Sequence, residues 1–372
     1  MISRVRQTAT RLADGRDLIY FDDATTAPRT AVDHRDLPVA AVRSHLRCDP
    51  LTGEWVMFAA HRMDRTFLPA ADDCPLCPTR PGHATEIPDS DYDVVVFENR
   101  FAALGSRDTD TTPVDDERLW PRRPAGGRCE VVAFTADHDA RYADLPHERA
   151  RTVVDALAAR TAALSRSPGV QQVFCFENRG IEIGVTLQHP HGQIYAYPFV
   201  PPRTRTLIDR SRDHRIRTGR SLQRDVLDAE TRAGTRIVWS GRYWSAYVPA
   251  AARWPVEVHL APHRDVPDLA ALGDDERDEL VDAQRDLLTR LDRYFDPAAD
   301  PSPVPYIAAW HQAPVGEGRE FGRLFWQLFS LRRAPGKLKY LAGSESAMGA
   351  WIGDTVPERI AGRLREVARD GL

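Results

Sequence analysis

Hydrophobic and polar positions follow two rhythms along the chain. Short runs that alternate, or are apolar throughout, predict strands at residues 92–97, 129–134, 170–176 and 193–197, and residues 51–58 read as a turn followed by a strand. Between the second and third of these runs, residues 146–164 place Val153, Val154, Leu157 and Leu164 near helical spacing. The same order of strand, helix, strand and strand recurs later. It comprises residues 256–260, a helix over 274–295, residues 306–310 and residues 324–329. In that helix Leu280, Ala283, Leu287, Leu288, Leu291 and Phe295 recur at steps of three and four. Each helix is introduced by a similar phrase, His138 ahead of Ala143-Asp144-Leu145-Pro146 and His263 ahead of Val266-Pro267-Asp268-Leu269. The pattern predicts an α+β protein built from a duplicated unit, with repeats over 41–205 and 206–372. Residues 1–40 are polar and read as an N-terminal arm. Residues 105–128, rich in Gly, Pro, Asp and Thr, read as a surface loop.

Composition narrows the function classes. The 372 residues carry a formal net charge of -4, which gives no electrostatic footprint for nucleic acid or an anionic membrane. Arginine supplies nearly all the basic residues, Lys337 and Lys339 being the lysines, and this reads as coding bias of a GC-rich genome rather than phosphate recognition. The first residues lack the apolar core of a signal peptide, and no run is long enough to span a membrane. The five cysteines, odd in number and sparse, do not suit a secreted disulfide scaffold. A cytoplasmic, reduced protein is expected, so the paired cysteines need another purpose.

Two motifs supply it. His189-Pro190-His191-Gly192-Gln193 precedes an apolar strand, and in an extended chain residues two apart project to one face. His189, His191 and Gln193 are therefore expected to look into one site, with Gly192 leaving room for a large ligand to approach the backbone. A neutral imidazole at His191 is a nucleophile able to carry a nucleotidyl group as a phosphoramidate, which splits one hard exchange into two easier steps. Gln193 suits donation to a non-bridging phosphate oxygen. A bare His-x-His is weak evidence; the fixed Pro, Gly and Gln make it specific. The second motif is Cys74-Pro75-Leu76-Cys77, half of a zinc site, a redox pair, or a turn with two free thiols. With His138 and His189 it makes a closed Cys₂His₂ set, which would tie an early loop to the catalytic strand. Phe97-Glu98-Asn99-Arg100 and Phe176-Glu177-Asn178-Arg179 form a matched pair at strand ends, offering amides for ribose or phosphate and rings for a base.

Together these residues resemble the galactose-1-phosphate uridylyltransferases of the histidine-triad superfamily, from about residue 43 to about residue 345. The resemblance takes in Asp49 to Val56, the Cys74–Cys77 pair, Asn99 with Phe101-Ala102-Ala103-Leu104, Phe176 to Gly180 and the His189 to Gln193 motif. It continues through Val248-Pro249, Trp254 to Glu257 and Trp310 to Pro314. It implies two histidine-triad-like repeats of mainly antiparallel sheet with packed helices. It also implies a homodimer that moves UMP from UDP-glucose to galactose 1-phosphate by a ping-pong route. His191 falls at the nucleophile and Gln193 at the glutamine that binds the transferred phosphoryl group. Phe97, Asn99, Phe176, Asn178 and Thr186 fall at nucleotide-binding positions, Thr186 where a serine is familiar. Arg47, Lys339 and Glu345 fall at sugar-phosphate positions, and Cys74, Cys77, His138 and His189 at ligands of one structural zinc per chain.

The departures bear on the acceptor. Arg100 stands where the best-known members have Asp, and Ser344 where they have an aromatic residue. Many members hold a second metal; here His311 remains, but the His-x-His region reads Arg323-Leu324-Phe325, so no second metal is expected. Competing readings are a hydrolase or phosphorylase of dinucleoside polyphosphates using the same His191, and a non-catalytic nucleotide-binding protein.

Overall fold

The computed structural model describes residues 4–369, apart from 24, 40, 41, 43, 65, 66, 106–117, 296, 297 and 299–301. The chain opens with a hairpin, β1 (Val5–Arg11) and β2 (Asp17–Asp23). Then come β3 (His45–Cys48), β4 (Trp55–Phe58), β5 (Val94–Glu98), β6 (Arg122–Pro124) and β7 (Arg128–Ala133). Helix α1 (His147–Leu164) leads to β8 (Gln172–Arg179) and β9 (His191–Tyr197). Two helices follow, α2 (Pro202–Thr218) and α3 (Leu222–Ala233). The second half continues through β10 (Ile237–Ser240), β11 (Trp244–Tyr247), β12 (Val256–Pro262), α4 (Asp274–Asp292), β13 (Tyr306–His311) and β14 (Phe325–Ser330). It ends with a small pair, β15 (Arg332–Ala334) and β16 (Lys337–Leu338), and the helices α5 (Gly343–Met348) and α6 (Pro357–Arg369).

Among the described residues, eleven strands form one sheet in the order β1-β2-β5-β7-β9-β8-β13-β14-β12-β11-β10, and every pairing in it is antiparallel. Its centre reads as the same four-strand order twice, β5-β7-β9-β8 and β11-β12-β14-β13, each running inwards to the junction. The two halves meet where β8 pairs with β13, Phe176 opposite Ala309 and Asn178 opposite Ile307. A duplicated strand–helix–strand–strand unit is thus written in the sheet order itself.

Alternation along the strands sorts side chains onto two faces. One face carries Val94, Val96, Val132, Ile194 and Ala196, and α1 and α4 cover it to make the main core with Leu280, Leu287 and Leu291. Helix α4 begins as its sequence requires: Asp274, Asp275 and Glu276 crowd the first turn, and Glu276 accepts from the Gly273 N–H at 2.8 Å. The other face carries Leu18, Val95, Phe97 and Val131, over which the 74–87 loop packs Cys74, Leu76 and Ile87. The cleft opens on this second face.

Two expectations are corrected. Residues 1–40 do not begin as an arm, because β1 and β2 extend the main sheet beside β5 and bury Leu18, Tyr20 and Phe21. Strand β1 hid in its polar composition because its burial alternates, with one side facing water. Within 105–128, residues 106–117 lie outside those described, while β6 is no loop: it pairs with β3, which β4 flanks. Helices α2 and α3 went unforeseen for a similar reason. Only Ile208 and Ser211 of α2 are buried, so it shows no apolar stripe.

Candidate active site

The register from β5 to β9 builds the site. Val95 lies opposite Ala133 and Ala133 opposite His191; one step on, Phe97, Val131, Gln193 and Phe176 align across four strands. These side chains floor a cleft of about 450 Å³, roofed by Pro75, Leu76 and residues 183–187. His191, Gln193, Phe97, Asn99, Phe176, Asn178 and Thr186 all line it, so seven of the sequence-derived positions converge. The matched Phe-Glu-Asn-Arg motifs divide by alternation. Phe176 and Asn178 face the cleft, whereas Glu177 is half-buried on the far side, where it accepts the Tyr306 hydroxyl at 2.6 Å. Asn99 gives its side-chain oxygen to the Phe101 N–H at 2.8 Å, which shapes the turn that ends β5.

The His191 ring has one nitrogen committed. Nδ1–H donates to the His189 carbonyl at 2.7 Å, which leaves the Nε2 lone pair free. Burial holds the imidazole below its ordinary pKa, so the ring is neutral near pH 7. Gln193 stands one alternation further along β9, and its side-chain amide makes no hydrogen bond to any described residue. A neutral nucleophile beside an uncommitted amide can attack a phosphorus and bind its oxygens.

Gly192 serves another purpose than expected. Its missing side chain points to the core: an added Cβ would lie 3.0 Å from Phe134 Cζ and 3.1 Å from the Phe176 carbonyl oxygen. His189 also departs from the predicted row. It precedes β9, does not line the cleft, and joins Cys74, Cys77 and His138 in a cluster whose ligand atoms all lie within 4.8 Å of one another. Cys77 Sγ is 3.5 Å from Nδ1 of both histidines. Ligands at zinc-type bond lengths on a tetrahedron would sit about 3.6 Å apart, sulfur to nitrogen. His189 Nε2–H is held by the Thr135 carbonyl at 2.8 Å, with the Tyr92 hydroxyl at 2.9 Å, which turns Nδ1 towards the sulfurs. Without a cation, burial and the Cys74 thiol push the Cys77 thiol up to about 12. The donor set fits a metal that draws off those protons.

The three sugar-phosphate candidates do not line this cleft. Arg47 lies on β3, with Nε donating to His45 at 2.9 Å and its guanidinium over Phe58. Lys339 is buried and donates to the carbonyls of Arg253, at 2.9 Å, and Ile352, with Glu345 at 3.7 Å. In the second repeat His311 stacks on Phe325, ring centroids 4.4 Å apart, and meets Gln327 at 2.9 Å, while Arg323 pairs with Asp265 at 3.2 Å. Sequence reasoning missed Arg62, Glu86 and Tyr195 in the cleft and Tyr92 behind the cluster. Extending the His191–Gln193 alternation by one step would have found Tyr195. The others come from loops that carry no periodicity.

A duplicated antiparallel sheet whose strand β9 opens on a tautomer-fixed histidine beside an uncommitted amide marks the class of enzymes suited to nucleophilic group transfer. Comparison with known proteins narrows the class. Residues 33–201 match the model of the galactose-1-phosphate uridyl transferase N-terminal domain, and residues 208–342 that of its C-terminal domain. The galactose-1-phosphate uridylyltransferase of Streptomyces lividans is 46% identical over 98% of each chain. That of Thermotoga maritima is 34% identical over 86% of this chain and 98% of its own. A solved uridylyltransferase structure superposes with a TM-score of 0.78 at 32% identity, covering 88% of this chain and 99% of that one. The chain belongs to the galactose-1-phosphate uridylyltransferase family and is a nucleotidyltransferase. No helix among the described residues is long and apolar enough to cross a membrane.

Proposed function

We propose that the chain transfers UMP from UDP-glucose to galactose 1-phosphate through a covalent intermediate on His191. The observation that carries this reading is the His191 ring, its Nδ1–H given to the His189 carbonyl and its Nε2 free in the cleft. Nε2 attacks the α-phosphorus of UDP-glucose; a P–N bond forms, the P–O bond to the β-phosphate breaks, and glucose 1-phosphate departs with the bonding pair. Galactose 1-phosphate then attacks the same phosphorus, and the histidine leaves as a neutral imidazole once its positive charge is lost with the P–N bond. Gln193 donates to a non-bridging oxygen, and Phe97, Asn99, Phe176, Asn178 and Thr186 hold the nucleotide.

Cys74, Cys77, His138 and His189 hold one structural zinc, the ion suited to two thiolates and two imidazoles. When bound it supplies folding free energy, and His189 passes the constraint to the next turn of chain, where His191 sits. No second metal is held, since Phe325 offers no ligand atom and Arg323 is a cation. Arg47, Lys339 and Glu345 serve the sugar phosphate in a homodimer; that none of them lines the cleft of its own chain supports this. The enzyme is cytoplasmic, with small-molecule substrates and no nucleic-acid or membrane partner.

Incubation of the protein with UDP-glucose alone tests the reading. Intact mass is expected to rise by one uridylyl group as glucose 1-phosphate is released, and galactose 1-phosphate is expected to discharge the adduct as UDP-galactose. His191→Ala is expected to fold, to form no adduct and to lose exchange. Exchange retained in that variant would remove the covalent route, and discharge only by another acceptor would change the sugar.

A further inference from the structure

We propose that Arg100 binds the acceptor oxygens of the nucleoside end of the substrate, and that Arg16 of the N-terminal hairpin aims it there through Glu86. This rests on the cleft being the nucleotide site. Arg100 and Arg62 are the cations among the described residues lining the cleft. Arg62 spends Nη1 on the Phe101 carbonyl at 2.7 Å, whereas the Arg100 guanidinium makes no hydrogen bond to any described residue. Its contact is an ion pair, Nη1 to Glu86 Oε1 at 3.7 Å, and its side chain is 45% exposed. The fork is therefore oriented but its donors are unspent.

Glu86 is held from behind. Its other oxygen takes Arg16 Nη2, and Arg35 Nη1 lies 3.3 Å from Oε1. Arg16 and Arg35 have carboxylates of their own, Asp14 at 2.8 Å and Asp33 at 2.7 Å, so the charge of Glu86 is left to face Arg100. Arg16 also donates Nη1 to the Glu98 carbonyl at 2.8 Å, fixing the strand end that presents Asn99 and Arg100. Both Asp14 and Arg16 precede residue 33, where the match to the N-terminal domain model begins.

Register places the end of the cleft at which Arg100 acts. Val95 is level with His191, whereas Asn99, donating to the Cys129 carbonyl at 2.9 Å, is level with Tyr195. Four residues of strand separate the two levels, about 13 Å. Arg100 is thus rooted far from the reacting phosphorus, among Phe97, Phe101 and Tyr195, whose flat faces suit a base. A guanidinium, which has donors only, selects ribose and carbonyl oxygens there.

The test uses the full chain and UDP as probe, with binding measured by calorimetry beside UDP-glucose and galactose 1-phosphate kinetics. Arg100→Ala removes a half-exposed side chain, so the fold is expected to persist. It should weaken UDP binding and raise the UDP-glucose KM by about tenfold, the loss expected for hydrogen bonds from a charged donor, with kcat within about twofold. Glu86→Gln, which keeps the shape and removes the charge, should shift the same parameters in the same direction by less. Arg100→Lys should recover part of the binding. UDP affinity unchanged in Arg100→Ala, or a loss confined to kcat, would overturn the proposal. Failure of the unmodified protein to bind UDP would overturn it together with the reading of the cleft.

Discussion

Gly192→Ala separates two roles for the glycine inside the histidine motif. The added Cβ would lie 3.0 and 3.2 Å from Phe134 Cζ and Cε1, and 3.1 Å from the Phe176 carbonyl oxygen. Carbon atoms pack comfortably at about 3.5–4.0 Å, so the shortfall is about half an ångström on each side. Neither neighbour yields freely. The Phe134 ring is edge-on to Tyr142, centroids 5.6 Å apart, inside the main core, and the Phe176 carbonyl belongs to β8, which pairs with β9. Overpacking of this kind costs about 1–3 kcal/mol. The smaller unfolded-state entropy of alanine returns about 0.4–1 kcal/mol, leaving a net loss of about 1–2 kcal/mol. Denaturant unfolding is expected to show that loss. Strand β9 must also shift by tenths of an ångström beside His191, so kcat should fall while the UDP-glucose KM stays near its original value. If the glycine instead cleared space for a ligand, stability would be unchanged and KM would rise. That result would refute the packing argument.

Other perturbations probe separate parts of the structure. Cys74→Ser is expected to lose bound zinc and stability together, on the order of a few kcal/mol or more, because a structural metal contributes folding free energy directly. One zinc per chain by elemental analysis with an unchanged melting temperature would show the ligand set to be wrong. Glu177 gives a pH signature: burial pushes its carboxyl up from 4.5 to about 7, against the Tyr306 hydroxyl and Arg179. The folded chain therefore keeps a proton that the unfolded chain releases. That stabilisation is full below 4.5 and is lost as pH rises to about 7. Glu177→Gln should flatten this part of the stability profile, and an unaltered slope would remove Glu177 as its source.

What could be read in advance followed periodicity and local spacing. Helices α1 and α4 announced themselves through apolar steps of three and four, and their starts fell within a residue of the observed ones. The cluster was legible because Cys74 and Cys77 are close in sequence and His189 lies beside the nucleophile motif. Alternation also explains why the cleft residues converge: Gln193, Phe97 and Phe176 share a face once their strands pair. What stayed hidden has long-range causes. The β1–β2 hairpin is made by pairing with β5, and β2 is recognisable only when a partner strand buries Tyr20 and Phe21. Glu86 reaches the cleft through a loop held by Arg16, seventy residues earlier in the chain, and no window of sequence contains both. Gly192 was given the wrong role although the alternation that sets His191 and Gln193 on the cleft face puts it on the opposite one. What the sequence hid is that Phe134 and the Phe176 carbonyl crowd it there.

The second repeat explains why the position equivalent to His191 holds no free histidine. Register equates Gln193 with Gln327, opposite Val131 and His259 respectively, and therefore His191 with Phe325 and Gly192 with Trp326. One residue beyond these pairings, Phe134 equates with Pro262. In the first half a large ring stands over a glycine; in the second the glycine's place is taken by an indole, whose ring centroid lies 6.3 Å from that of Trp310. That indole fills the core face itself, and Trp326 is accordingly 2% exposed. Packing on that face fixes the height of the strand, and with it the height of whatever side chain alternates to the other face. At the first position that side chain is an imidazole with a free Nε2; at the second it is Phe325, stacked on His311. Restoring a histidine at 325 would therefore not restore a site. The ring would inherit the stack on His311, and the cleft before it is floored by His259 and Tyr247 in place of Val131 and Phe97. Phe325→His is expected to leave exchange dependent on His191 alone, and a second uridylyl group per chain by intact mass would contradict this.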